Sequence, residues 1–130
     1  MTSKEVVEKF YNSDLANNAN AIDDCFHKDC TLNWHSSKGY VALDFNGLKL
    51  VFDEIRQSYN TLRFHISHLL QDNNHVTIPY TSYVTTLENP DEELALAHFT
   101  TIWELKGDKI FKGFQMSQLA ESSIESLNSF

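Results

Sequence analysis

Residues 62–119 read LRFHISHLLQDNNHVTIPYTSYVTTLENPDEELALAHFTTIWELKGDKIFKGFQMSQL, and the fold turns on this stretch. Apolar and polar residues alternate along it with the period of half-buried strands. The alternation breaks at Asp72-Asn73-Asn74, at Glu88-Asn89-Pro90-Asp91-Glu92-Glu93 and at Lys106-Gly107-Asp108-Lys109. Three polar breaks predict four long strands joined by short turns. Upstream the period changes to that of helices. Thr2 and Glu5 have the spacing of a capping box, and Val6, Val7, Phe10, Tyr11 and Leu15 follow on one helical face until Asn17-Asn18. Asn20 is the expected cap of a short second helix that buries Ile22, Cys25 and Phe26, and Cys30 to His35 then reads as extended. Gly39 and Asn46-Gly47 bracket a second extended arm, Tyr40 to Phe45. Leu48, Val51, Phe52, Ile55 and Tyr59 give a third helix its apolar stripe. Helices first and a meander last predict an α+β domain in which N-terminal helices pack on a curved, mainly antiparallel sheet.

The chain has 130 residues, enough for a single domain, 1–130, with 119–130 expected to form a mobile tail. In that tail Ser122 and Glu125 have capping-box spacing, and Ile124, Leu127 and Phe130 are apolar anchors. A net charge of −8 without a Lys/Arg cluster argues against nucleic acid and anionic membranes as partners. No apolar run approaches the roughly 20 residues that span a bilayer, and a cytoplasmic protein is expected. Cys25 and Cys30 have neither metal-knuckle nor disulfide-framework spacing and are expected to be buried free thiols. His65 and His68 would point to opposite faces of a strand, so no metal site and no cofactor is expected. The four glycines form no P-loop, dinucleotide fingerprint or nucleophile elbow.

Candidate pocket residues are polar groups that interrupt an apolar strand phase. They are His68 in the phase Leu62, Phe64, Ile66, His68, Leu70; Tyr80 and Ser82 in Val76, Ile78, Tyr80, Ser82, Val84; and His98 in Leu94, Leu96, His98, Thr100, Ile102. A short connection between the last two strands predicts Tyr80 or Ser82 beside His98 on one face. If the protein is a catalyst, His98 is the expected acid/base and Tyr80 the hydrogen-bond donor to a carbonyl oxygen. The opposite phase, Thr77, Thr81, Tyr83 and Thr85 with Phe99, Thr101 and Trp103, is an aromatic and threonine surface expected to be covered by a second copy of the chain.

The segments KEVVEKFYNSDLANN, AIDDCFHKDCTLNWHSS, NGLKLVFDEIRQSY, LRFHISHLLQDNNHVTIPYTSYVTT and HFTTIWELKGDKIFKGFQMSQ together resemble the nuclear transport factor 2-like superfamily, in particular its SnoaL-like (polyketide-cyclase) and ketosteroid-isomerase-like branches. The resemblance implies a cone-shaped half-barrel around an apolar pocket, a homodimer through the outer sheet face, and a small hydrophobic ligand. Isomerases, cyclases, dehydratases and non-catalytic proteins all occur on this scaffold, so a binding or dimeric interaction module stands beside the enzymatic reading. In ketosteroid isomerases an acidic base lies near the end of the segment similar to FHKDCTLNWHSS, where this chain has Trp34, followed by His35. Many cyclase-like relatives carry an acid on the last strand, where this chain has Gln115. Indole cannot shuttle a proton and an amide is not an acid at neutral pH, so both differences favour binding. Trp34, His35, Phe52, Phe64, His68, Ser82 and Gln115 are the expected pocket lining. Whether Phe114 or Gln115 faces inward depends on the register of the last hairpin.

Overall fold

The computed structural model describes residues 1–120, so the residues expected to form a capping box and apolar anchors in the tail lie outside the described residues. Helix α1 spans Ser3–Tyr11, and Thr2 and Glu5 close the capping box. It ends four residues before Leu15: Asn12 takes the C-cap, Asp14 has a positive φ of 53°, and Leu15 is buried from a turn instead of from the helix. Helix α2 is Ala21–Cys25 with Asn20 at its N-cap, though the Asn20 side chain makes no capping hydrogen bond. Strands β1 (Phe26–Ser36) and β2 (Gly39–Asp44) form a hairpin, and α3 (Phe45–Ser58) follows directly. The Asp44 carboxylate caps α3 by accepting from the Gly47 N–H at 2.8 Å. Among the described residues no helix is long and apolar enough to cross a membrane.

The C-terminal half comprises β3 (Tyr59–Ile66), β4 (Leu70–Asp72), β5 (His75–Thr86), β6 (Glu93–Lys106) and β7 (Lys109–Leu119). The sheet order is β2-β1-β7-β6-β5-β3, with β4 on β5 beside β3, and every pairing is antiparallel except β1 with β7. This is the α+β architecture expected, helices packed against a curved, open, mainly antiparallel sheet. The core lies between the helices and one sheet face, where Val7 and Phe10 of α1, Ile22 of α2 and Leu48 of α3 meet Leu32, Ile78, Trp103 and Ile110. Cys25 and Cys30 are buried free thiols, and burial pushes the Cys30 thiol up to about 11.

Two register features overturn expectations about side-chain direction. The first expected strand is broken, because the chain leaves β3 at Ile66, and the Ser67 N–H bonds to the Pro79 carbonyl before β4 begins. His68 therefore lies outside the strands and is exposed. The second feature is a bulge in β6. Val84 pairs with Leu94 and Tyr83 with Ala95, but Ser82 pairs with Ala97, which leaves Leu96 as the extra residue. One extra residue exchanges the faces of everything beyond it. Phe99, Thr101 and Trp103 consequently point into the core and His98, Thr100 and Ile102 point outward, the reverse of the expected phase. On β7 the inward residue is Gln115, and Phe114 is exposed.

Gly113 sits inward on β7 with the six-membered ring of the Trp103 indole against it. A Cβ there would fall 2.3 Å from the ring's Cζ3 and 2.7 Å from Leu32 Cδ1. Glycine is required by this close approach, since Gly113 has no unusual φ. Gly113→Ala is expected to lower stability by about 1–3 kcal/mol, the usual cost of overpacking a filled core, as read from urea unfolding followed by circular dichroism.

Candidate functional site

The concave side of the sheet and helices α1 and α3 enclose an apolar cavity of about 80 Å³. Its walls follow from the strand phases. β1 contributes Leu32 and Trp34, β3 Leu62 and Phe64, β5 Tyr80 and Ser82, β6 Phe99 and Trp103, and β7 Gln115. Helix α3 lays Leu48, Val51, Phe52 and Ile55 across the opening, one stripe at helical spacing. The rings pack edge to face or offset: Tyr80 stacks on Phe99 at 4.9 Å, Phe64 meets Tyr80 at 5.3 Å, and Phe99 lies 6.3 Å from Trp34.

The polar atoms in this wall are tied to one another. The Thr101 hydroxyl donates to Gln115 Oε1 at 2.7 Å, and the Tyr80 hydroxyl approaches the same oxygen at 3.5 Å. Trp103 Nε1 donates to the Tyr11 hydroxyl at 3.0 Å, and Ser82 Oγ donates to the Ala97 carbonyl at 3.3 Å. At the mouth, Trp34 Nε1 donates to Ser117 Oγ at 2.8 Å. With the Gln115 oxygen committed to two hydroxyls, its amide N–H groups are the half of the side chain left to face the cavity.

The cavity is uncharged at neutral pH. Its two ionisable lining residues are phenols: burial pushes Tyr80 up to about 12, and burial followed by the neighbouring Tyr80 raises Tyr11 well above the usual phenol value. Hydrogen-bond donation, not proton transfer, is the chemistry available to these groups near pH 7.

Trp34, Phe52, Phe64, Tyr80, Ser82 and Gln115 thus meet in one cavity. The three histidines do not join them. His98 is on the outer face, where its Nδ1 lies 2.8 Å from Thr81 Oγ1, and the bulge at Leu96 is the reason it does not face Tyr80. His35 also points outward, its ring between Tyr40 at 4.8 Å and Phe114 at 5.5 Å, because it follows the inward-facing Trp34 by one residue. His68 is exposed beside Ser67. Sequence reasoning assigned Phe99 to the wrong face and did not name Tyr11, Leu96 or the Val51 and Ile55 pair as lining. The α3 stripe carried the signal for the last two. Among the described residues no three His, Cys, Asp or Glu side chains converge as metal ligands would.

A SnoaL-like domain family matches residues 7–112. The chain belongs to the SnoaL-like family. Solved structures share the fold at low sequence identity. IdmH of Streptomyces antibioticus, provisionally described as a polyketide cyclase, is 9% identical with a TM-score of 0.74, over 98% of this chain and 99% of its own. A protein of Catenulispora acidiphila with a ketosteroid isomerase-like fold, solved with trimethylamine, is 17% identical with a TM-score of 0.68, over 96% of this chain and 90% of its own. A protein of Acidithiobacillus ferrooxidans, also provisionally a polyketide cyclase, is 16% identical with a TM-score of 0.70, over 98% and 92%. Among curated protein sequences none matches this one.

The shared acceptor on Gln115 leads to a stability prediction. Gln115→Leu keeps the volume but strands the Thr101 hydroxyl, which is fully buried. It is expected to cost about 1–3 kcal/mol, and the double variant Gln115→Leu, Thr101→Val is expected to recover part of that loss in urea melts.

Proposed function

We propose that this SnoaL-like protein binds a small, uncharged, hydrophobic molecule in its cone, without acid-base catalysis. The observation that carries the reading is the lining itself: an aromatic and aliphatic wall whose polar groups are an amide, hydroxyls, indoles and two phenols that stay protonated at neutral pH. The isomerase, cyclase or dehydratase chemistry of similar scaffolds needs a group that gives and takes a proton near pH 7. His98, the sequence-level candidate for that role, is outside the cavity. What remains can orient a carbonyl or hydroxyl and exclude water from it.

A thermal-shift screen tests this, because a ligand selective for the folded chain raises its melting temperature by mass action. Neutral cyclic ketones and aromatic alcohols are expected to raise it, and their carboxylate or ammonium counterparts are not. Affinity for a neutral ligand is expected to stay constant within about twofold from pH 5 to 9. The linkage sign fixes the window: a phenol whose folded value is raised favours the folded state below the ordinary value of about 10, and that contribution fades only as pH climbs towards about 12. A bell-shaped or sigmoidal change between pH 6 and 8 would mean that an ionising group serves the site.

We further propose that the outer sheet face pairs two copies of the chain. Of the residues expected there at the sequence level, Thr77, Thr81 and Tyr83 stay half-exposed on β5, whereas Thr85 is buried and Phe99, Thr101 and Trp103 are inside. The exposed face instead presents Ile102, Phe114 and Met116, which are 41%, 46% and 57% exposed, flanked by His35, Tyr40 and Thr100. These residues lie on the adjacent strands β6, β7, β1 and β2 and form an apolar surface of the kind that second subunits cover. Sedimentation at micromolar concentration is expected to show a dimer, and Phe114→Glu to shift it to monomer without altering the melting of the cavity network. A monomeric wild-type chain would remove this proposal.

A further inference from the structure

We infer that Trp34 is a gate between two compartments of one binding site, and that the ligand is an amphiphile with its apolar end in the inner cavity and an uncharged polar end in the groove outside. The inference rests on the binding function proposed above and adds the ligand's shape and the residue that controls its entry.

Size is the first argument. The cavity of about 80 Å³ is small, since a cavity of roughly 150 Å³ is what takes up benzene in an engineered core. A ligand of ring size cannot enter unless a wall moves. The second argument is where the wall is thin. A groove of about 370 Å³ lies against the cavity, and five residues, Trp34, Val51, Ile55, Leu96 and Phe99, line both. All five sit on a helix or strand, and four of them are pure hydrocarbon side chains. Trp34 is the one with a polar latch, its Nε1 donating to Ser117 Oγ at 2.8 Å, and Ser117 belongs to the groove. Breaking that hydrogen bond frees the indole to turn aside. A hydrogen bond of this kind shifts an equilibrium by roughly three- to tenfold, a modest hold suited to a gate.

The third argument is chemical contrast. The cavity side of Trp34 is aromatic and aliphatic, while the groove side adds Ser36, Ser37, Ser58 and Ser117. The groove's charged residues are Lys38 and Glu54, one of each sign, so it selects for neither cation nor anion. Hydroxyls beside balanced charges suit an alcohol or carbonyl head.

The test uses n-alkanols from 1-butanol to 1-octanol on the full chain, with affinities from calorimetry and Trp fluorescence. Each buried CH₂ is worth roughly fourfold in affinity, so the octanol-to-butanol ratio reports how far the chain penetrates. In the wild type this ratio is expected to be reduced by the need to open Trp34. In Ser117→Ala it is expected to rise at least threefold, and in Trp34→Ala more than tenfold, with butanol weakened because the small cavity has lost a wall. Ratios within twofold of the wild type in both variants would overturn the gate. Affinity that stops rising beyond butanol in all three proteins would overturn the two-compartment ligand and leave the inner cavity as the binding site. Failure of every alkanol to bind any of the three would overturn both this inference and the binding function.

Discussion

The contact of the Trp103 indole with the bare backbone of Gly113 organises the inner half of this protein. One side of the ring lies on β7 so closely that any side chain at 113 would collide with it, and its nitrogen donates to Tyr11 on α1. The same side chain therefore sets the distance between two central strands and ties the first helix to them. Phe26, at the start of β1, meets the indole edge to face at 5.4 Å. Tyr11 in turn packs on Phe64 and Tyr80, so the floor of the cavity is assembled from α1, β1, β3, β5 and β6 around one ring. Burial of such an aromatic contributes to stability by area and by geometry, but here it also fixes where the cavity stops.

Above that floor nearly every polar atom of the wall has a partner. Thr101 and Tyr80 share the Gln115 oxygen, Ser82 uses the Ala97 carbonyl, and no buried side-chain donor or acceptor among the described residues is left unpaired. In a low-dielectric pocket this matters more than the number of polar groups, since an unpaired one costs its full desolvation. What such a cavity still offers is the Gln115 amide N–H groups and the Ser82 lone pairs, against a field of hydrocarbon.

Much of the scaffold was legible in the chain because local rules and the global fold agree. Thr2 with Glu5, the α3 stripe from Leu48 to Ile55 and the turns after Asp72 and Lys106 each act over a few residues and were read directly. The site was legible only in part, and the reason lies in β6. In ELALAHFTTIWELK both alternating sets are apolar enough to face a core, so alternation cannot choose between them. The choice is made by the extra residue at Leu96, which no pairwise signal in a single sequence announces and which exchanges His98 for Phe99 at the cavity. Ser67 acts similarly at smaller scale, with β3 ending at Ile66, two residues before His68.

Trp34 and Gln115, the positions that the family resemblance compares with acids, bring these points together. Both line the cavity, and both are neutral there. A carboxylate at 115 would meet the Thr101 and Tyr80 hydroxyls already pointing at the present oxygen, which would favour its charged form, while the surrounding rings would oppose that charge by desolvation. The amide receives the same two hydrogen bonds without bringing a charge into hydrocarbon. At the mouth, a carboxylate in place of Trp34 would open the cavity to water as well as charge it. The indole does the opposite: it seals the wall against Phe99 and fixes its own orientation through a single bond to Ser117. Neutrality and closure at these two positions are thus consequences of the side chains present, an amide and an indole.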